Sequence, residues 1–590
     1  MPPPPAPHRD DHTAAAAAAR IADGFDDYNA RFSDITRRAR RRFERREWHL
    51  SLADANARID LYDQCVRETL ARLEALLEER VRARPLWRRI HVAFEACITS
   101  LPDRELYKTF YNSLVRRFFL IDGVAPDLEF LALDIVPPRD VTGPGEAHTW
   151  PLRARSGGDD RDTAVAAWRE IFSALDLGRA WSGMHEDAAT VADALRARGV
   201  IAVTLLRTPF YRERRAFLVG RAHGASGAGY PVVVTLVSDE DGVRADAVIV
   251  DEDAISILFG FSRSHFQADV ARVCDTVAFL SELLPRKPVD ELFTLLGRLK
   301  QGKTERYRQI FRHLREYPEG ELVTADGARG MVMMVFTPRN HPVVFKLIRD
   351  RFAYPKDMVR AEVEEKYRMV FRRDRVGRLV EAQEFTRLRF PMRQFAADTL
   401  RELLQECAQT VRIEDEDVVI GHCYVERRLR PLDLYVREAP AHLAERALLD
   451  YGQAITDLAR SDIFPGDLLL KNFGVSRHGR VLFYDYDELC LVGECNFRAV
   501  PPMRDEDETR PLDEWLYARP DDVFPELFPQ FLGVPPVLRE RLRAVHGHIF
   551  DPAWWRGLQA QLAAGTRFDA PPYPATLRLA ARHEATDGMQ

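Results

Sequence analysis

The chain has 590 residues, a formal net charge of -6, and 46% hydrophobic against 30% charged residues. That length is too great for one core and calls for at least two large domains, while the composition excludes a mostly disordered chain. The acidic balance excludes a global attraction for nucleic acid or anionic membrane, which needs clustered positive charge.

The start is proline-rich, and residues 1–20 are expected to form a disordered tail. No window approaches the roughly 20 apolar residues of a membrane span, and the acids near the start do not fit a signal peptide. A cytoplasmic location is expected, with neither membrane nor nucleic acid as a partner. Up to Leu120 apolar residues recur at three- and four-residue steps, as in Phe25, Tyr28 and Phe32, which predicts amphipathic helices. Seven arginines lie between Arg37 and Arg46, but Phe43, Glu44 and Trp48 interrupt them at helical spacing. A solvated helix face is the better reading than a nucleic-acid patch.

Pro137 to Asp162 is dense in turn formers and reads as a connection. RRAFLVGRA, PVVVTLVSD and AVIVD flank the glycine-rich tip Gly224–Gly229 and predict a small antiparallel sheet. Helical patterning then returns, through AISILFGFSRSHF, and runs to about residue 314. A mostly helical domain is therefore expected over 21–314 and a second domain over 315–590. The second opens as turn, strand, turn, strand, with a charged helix expected over Lys356–Arg373. Seven cysteines without a C-x-x-C pair form no disulfide framework or zinc cluster, and Cys490 with Cys495 is too isolated for a metal site.

Phosphoryl transfer needs donors for phosphates, a lysine, metal-binding acids and a carboxylate near the attacking oxygen. In ADGARGM, Gly327 and Gly330 lack Cβ atoms, so backbone N–H groups can approach phosphate oxygens. A plain β-turn explains that pair alone equally well. Sixteen residues on, Lys346 ends the run Val343–Phe345, as a strand lysine under a glycine turn does in kinase-like folds.

More specific is DIFPGDLLLKNFGVSRHGRVLFYDYDE. Asp467 precedes Asn472 by five residues and Asn472 precedes Asp485 by thirteen, the spacing of a kinase catalytic loop and its metal-binding aspartate. FGVSR and VLFYDYD are expected to form a hairpin around His478 and Gly479 that returns Asp485 to Asn472. Lys471 adds positive charge at the same place, with a surface lysine as the plain alternative. Pro465 and Gly466 replace His-Arg ahead of Asp467, and Asp485, Tyr486, Asp487 replace Asp-Phe-Gly, so the kinase is atypical. The acid that pairs with Lys346 is left open among Glu362, Glu364, Glu365, Glu381 and Glu384.

These stretches, together with VVFKLIRDRFAYPK, DRVGRLVEAQEF, YVERRLRPL, NFRAVPPMRDEDE and DVFPELF, resemble the bacterial bifunctional isocitrate dehydrogenase kinase/phosphatase family. Weaker echoes such as RFERREWH, PFYRERRAFLVG and GKTERYR extend the likeness through the first domain. The resemblance implies an α+β chain, with a mostly helical N-terminal regulatory domain and a bilobal protein-kinase-like C-terminal domain. It implies a serine of isocitrate dehydrogenase as substrate, phosphorylated and dephosphorylated to set flux between the citric acid cycle and the glyoxylate bypass. Carried onto this chain, Ala325, Asp326, Gly327, Ala328, Arg329, Gly330, Met331 and Lys346 bind ATP or ADP. Asp467, Lys471 and Glu381 are catalytic, and Asn472, Asp485 and Asp487 hold Mg²⁺ or Mn²⁺. AMP is implied as an allosteric effector, and a homodimer is left open.

Two departures stand out. The family motif around Glu381 ends in aspartate, so the acid here is one methylene longer. Asp326 places an acid in the glycine turn, which is unfavourable beside phosphate unless it points away. Two other readings, a small-molecule kinase and a non-catalytic kinase-like scaffold, are weaker: the proline-rich, acidic Cys495–Gly533 insert suits a folded protein substrate, and the catalytic groups are all present.

Overall fold

The structure is a computed structural model and describes residues 9–133, 147–154, 159–227, 229–260, 266–354, 356, 358–501 and 518–579. The chain divides into two compact units, Met1–Arg312 with Tyr573–Gln590, and His313–Pro572.

The first unit begins with α1 (Arg9–Arg45), α2 (Ser51–Leu77), α3 (Arg84–Ile98) and α4 (Arg104–Phe118). The expected tail over 1–20 is corrected from Arg9 onward, where α1 starts, while residues 1–8 lie outside the described ones. Alanine is the best helix former, and Ala14, Ala17, Ala18 and Ile21 recur on one stripe that is buried with Phe25, Trp87 and Phe110. The arginine run is a paired helix face: Arg37 meets Asp269, Arg40 meets Glu44, and Arg42 meets Glu47 and Asp54, while Phe43 points into the core.

Next come β1 (Ala147–Pro151), α5 (Asp160–Ala174), α6 (Met184–Arg196), β2 (Val200–Leu206), β3 (Phe210–Arg212), β4 (Arg215–Gly224), β5 (Gly229–Ser238) and β6 (Val243–Ile249). They build an antiparallel sheet in the order β1-β2-β4-β5-β6, with β3 on β4. The expected connection over Pro137–Asp162 thus contains a strand and the start of a helix; its residues 137–146 and 155–158 lie outside the described ones. Helices α7 (Glu252–Leu258), α8 (Val273–Leu283), α9 (Val289–Leu295) and α10 (Leu299–Glu316) follow. Of AISILFGFSRSHF, residues 261–265 lie outside the described ones. The chain's end returns to this unit. Tyr573 is buried, donating its hydroxyl to Asp246 and accepting from Arg215 Nε at 3.2 Å, and Arg578 bridges Ala247. Residues 573–579 therefore belong to the first unit rather than to the 315–590 domain in which the sequence reading placed them.

The second unit carries β7 (Leu322–Thr324), β8 (Met333–Pro338), β9 (Val343–Ile348), α11 (Arg360–Arg373), β10 (Ala382–Pro391), α12 (Ala397–Glu406), β11 (Val411–Glu414) and β12 (Asp417–Arg427). The antiparallel sheet runs β10-β12-β9-β8-β7, with β11 on β12. Past β12 come β13 (Arg430–Pro431), α13 (Leu432–Glu438), α14 (Ala441–Arg460), the hairpin of β14 (Phe473–Val475) and β15 (Val481–Phe483), α15 (Pro536–His546) and α16 (Pro552–Ala563). The hairpin turns at Gly479, whose φ of +74° is accessible to glycine without strain. The charged helix starts at Arg360 rather than Lys356, where Glu362 accepts from Val359 N at 2.9 Å. A sheet over a helical lobe makes the whole chain α+β.

Candidate active site

Lys346 lies on β9 directly opposite Tyr424 of β12. Side chains two residues apart share a strand face, so Glu426 becomes the diagonal neighbour of Lys346. The two form an ion pair at 2.8 Å, with their side chains only 7% and 1% exposed. Lys346 Nζ also donates to Tyr484 O at 2.7 Å, which ties the sheet to the strand end that leads into Asp485. None of the five acids considered from the sequence takes this place: Glu362 caps α11, Glu365 pairs with Arg368, Glu384 meets His422, Glu381 accepts from Gln383, and the partner of Lys346 is Glu426.

The catalytic-loop spacing folds as its local chemistry dictates. Asp467 Oδ1 accepts from Leu469 N at 2.9 Å, and Asn472 Nδ2 donates to Asp467 O at 3.3 Å. Tyr484 N donates to Asn472 O at 3.1 Å, and the Tyr484 hydroxyl donates to Lys471 O, so the hairpin brings Asp485 beside Asn472. Burial, then the adjacent Asp487 carboxylate, push the Asp485 carboxyl from 3.8 up to about 7, while Lys346 and Lys356 pull it down.

Lys356 is a site residue that the sequence reading missed. Its ammonium lies 3.0 Å from Asp487 and also meets Glu488; burial opposes its charge, but these acids hold its pKa above the ordinary range. Its signal was the YPK step ahead of the helix, misread as the first helical turn. Glu426 gave no local signal, because it acts through the pairing of strands eighty residues apart.

Ala328, Arg329, Gly330, Met331, Lys346, Lys356, Asp467, Lys471, Asn472, Asp485 and Asp487 line one cleft of about 110 Å³. A second cavity of about 630 Å³ opens from Ala325, Asp326, Gly327 and Lys346 towards Glu426 and the Arg427–Pro431 crossing. Gly327 has φ +116°, and a Cβ there would meet Pro431 at 3.2 Å; a Cβ on Gly330 would lie 2.7 Å from Met333 O. Both positions need glycine. Arg329 and Arg349 each pair with Glu402 and Glu406 of α12, bracing the turn from behind. Asp326 lines the larger cavity, where its carboxylate is held in a 2.9 Å pair with Arg430 of the same wall.

Glu381 is placed differently. It is 7% exposed at the foot of β10, and neither cavity counts it among its lining residues. Beside it Val380 N donates to Phe483 O at 3.1 Å and Val380 O accepts from the Tyr486 hydroxyl at 2.5 Å, so this strand end backs the segment that carries Asp485.

Residues 320–575 match the family model described as the isocitrate dehydrogenase kinase/phosphatase kinase domain, and residues 18–318 match that family's regulatory domain. The chain belongs to the isocitrate dehydrogenase kinase/phosphatase family. A relative of that name from Xanthomonas euvesicatoria is 49% identical over 580 residues, covering 98% of this chain and 100% of the relative. One from an Anaeromyxobacter species is 42% identical over 575 residues, covering 96% and 98%. Members of this family carry both the helical regulatory and the kinase-like parts found here, and the kinase-like part holds the cleft.

Proposed function

We propose that this chain transfers phosphate from ATP to a serine of isocitrate dehydrogenase and removes it again, setting the flow between the citric acid cycle and the glyoxylate bypass. The observation that carries this reading is the convergence of Lys346, Asp467, Asn472 and Asp485 on one cleft beside the glycine turn, in a chain that belongs to this family over nearly its whole length.

Each residue has a physical task. Backbone N–H groups of the Asp326–Met331 turn would receive the triphosphate, while the Ala325 N–H is taken by Val335 O; the aromatic-flanked ammonium of Lys346 would neutralise its charge, and Glu426 holds that ammonium in place. Asp467 accepts or orients the proton of the attacking hydroxyl. Lys471 adds charge beside the transferring group. Asn472, Asp485 and Asp487 present oxygen donors of the kind Mg²⁺ and Mn²⁺ take, and the burial and the Asp487 repulsion that raise Asp485 are what a divalent cation would offset. Such an ion, when bound, stabilises charge on the phosphate oxygens.

The same donors stabilise a loose transition state whichever oxygen attacks. With ADP retained and phosphoserine docked, Asp467 orients water in place of serine. Glu381 contributes to that hydrolytic direction from behind, through the Val380 contacts that seat Asp485. AMP as an effector comes to this reading from the resemblance and a cytoplasmic location from the composition; among the described residues no helix is long and apolar enough to cross a membrane.

The test is direct: incubate the protein with isocitrate dehydrogenase and labelled ATP, then add ADP and AMP and follow release of label. Transfer by the native chain and none by Asp467→Ala supports the kinase half. Label that is never released under any nucleotide removes the phosphatase half.

A further inference from the structure

Five residues beyond Asp485, Cys490 forms a short antiparallel bridge with Phe464, three residues ahead of Asp467. Phe464 N donates to Cys490 O at 2.8 Å, and Cys490 N donates to Phe464 O at 3.0 Å. Between them Gly466, at φ +81°, passes so close to the other segment that a Cβ would lie 2.5 Å from Glu488 O. The strand entering the catalytic loop is therefore packed backbone to backbone against the segment leaving the acidic pair, with little room for either to move alone.

Cys495 follows one turn of 3₁₀-helix, Val492–Glu494, and its Sγ stands 3.5 Å from Cys490 Sγ. Gln559 of α16 grips this side, donating to Cys495 O at 2.7 Å and Val492 O at 2.8 Å. One sulfur is thus anchored to the lobe's helices and the other to the catalytic loop. Both residues are half-buried, within reach of a small oxidant. The hydrogen bond from Cys495, opposed by burial and assisted by Lys366, holds the Cys490 thiol below its ordinary range, which favours the nucleophilic thiolate.

We propose that Cys490 and Cys495 form a reversible dithiol–disulfide site, closed by an oxidant of the hydroperoxide class, whose closure shifts the Phe464–Asp467 loop and lowers phosphoryl transfer. The Cys490 thiolate attacks a peroxide oxygen: an S–O bond forms, the O–O bond breaks, and the leaving oxygen departs as water or alcohol after taking a proton. The Cys495 sulfur then attacks Cys490, forming S–S as the S–O bond breaks and water leaves. Two electrons pass from the sulfurs to the peroxide, and a dithiol reductant returns them. A disulfide spans about 2.05 Å, so the sulfurs approach by roughly 1.5 Å. Because Gln559 holds one end, the Cys490–Phe464 bridge takes up the displacement. Misplacement of a reacting group by an ångström costs up to about a hundredfold in rate.

The experiment treats the full chain with stoichiometric hydrogen peroxide, then reads peptide mass, amide exchange and phosphoryl transfer to isocitrate dehydrogenase. Expected are a loss of ~2 Da from the peptide holding both cysteines, faster exchange at the Phe464 amide, and a fall of roughly tenfold or more in transfer. Dithiothreitol should reverse all three. Cys495→Ser should keep its reduced activity and stop at a Cys490 sulfenic acid that dimedone captures; Cys490→Ala should resist inactivation altogether. A peptide unchanged in mass while exposed Cys97 is oxidised overturns the site. A disulfide that leaves both Phe464 exchange and transfer unaltered overturns the coupling. Mass and exchange are read without the substrate, so their failure is distinct from failure of the kinase reading itself.

Discussion

Lys346 and Glu426 meet within one sheet, across adjacent antiparallel strands, at 2.8 Å and nearly out of solvent. The pairing acid of this kinase-like lobe therefore sits on β12 rather than on α11, whose Tyr367 instead stacks on Tyr424 with ring centroids 3.8 Å apart. A helix is free to swing on and off a sheet, whereas a strand in register is not.

Breaking a buried ion pair by removing one partner leaves an uncompensated charge and costs about 3–5 kcal/mol. Glu426→Ala should fall towards the lower end, because Tyr484 O remains as an acceptor for Lys346. Denaturant unfolding should show this loss, and Glu426→Gln should raise the KM for ATP with a smaller effect on stability. A stable Glu426→Ala chain with native ATP affinity would remove the pair from the mechanism.

Asp485 gives a pH dependence whose sign follows from its raised pKa. Up to about 7 the folded chain keeps a proton that the unfolded chain has lost above 3.8. Its contribution to stability is therefore full below about 3.8, declines as pH rises, and is gone above about 7. In chelator, melting temperatures of the native chain and Asp485→Asn should diverge across that window, the native chain losing more. Added Mg²⁺ should stabilise the native chain more at the top of the window than at the bottom, since binding must displace that proton. Parallel pH profiles for the two proteins would rule the effect out.

Asp326 pairs with Arg430 on an exposed surface, so Asp326→Ala should change stability by at most about 1 kcal/mol. Because Arg430 already neutralises the carboxylate, ATP affinity should stay within about twofold. A tightening of roughly tenfold, 1.4 kcal/mol, would mean that the acid opposes the phosphates directly. Gly330→Ala is the contrasting case: the added methyl meets Met333 O, and overpacking of about 1–3 kcal/mol should show as lost ATP binding.

Glu381 is expected to separate the two activities. Buried behind the Asp485 segment and outside both cavities, it should affect release of phosphate through position. Glu381→Asp should keep both directions measurable, while Glu381→Ala should slow phosphate release more than phosphate transfer, read as separate kcat values. Equal losses in both directions would assign Glu381 to folding alone.

Lys346, Asp467, Asn472 and Asp485 were legible because their spacings are local: a strand end, one loop and one hairpin hold them, and such short-range geometry is written in turn residues such as Gly479. Glu426 and Lys356 were not, since one depends on strand register across eighty residues and the other on where a helix declines to start. The alanine stretch of α1 was misjudged for a related reason. The tail over 1–20 was extended from the proline-rich start, yet Ala14, Ala17 and Ala18 are buried because small residues let a helix approach its neighbours closely. The return of residues 573–579 carries no signal along the chain at all.

That return has a practical side. Severing the polypeptide once after Arg312 would strip the N-terminal piece of Tyr573, leaving Asp246 and Arg215 without the phenol that joins them in its interior. A fragment meant to report on the helical half must carry its distant tail as a second peptide or a grafted extension, and a bulky label fused just past Leu579 would press on β6.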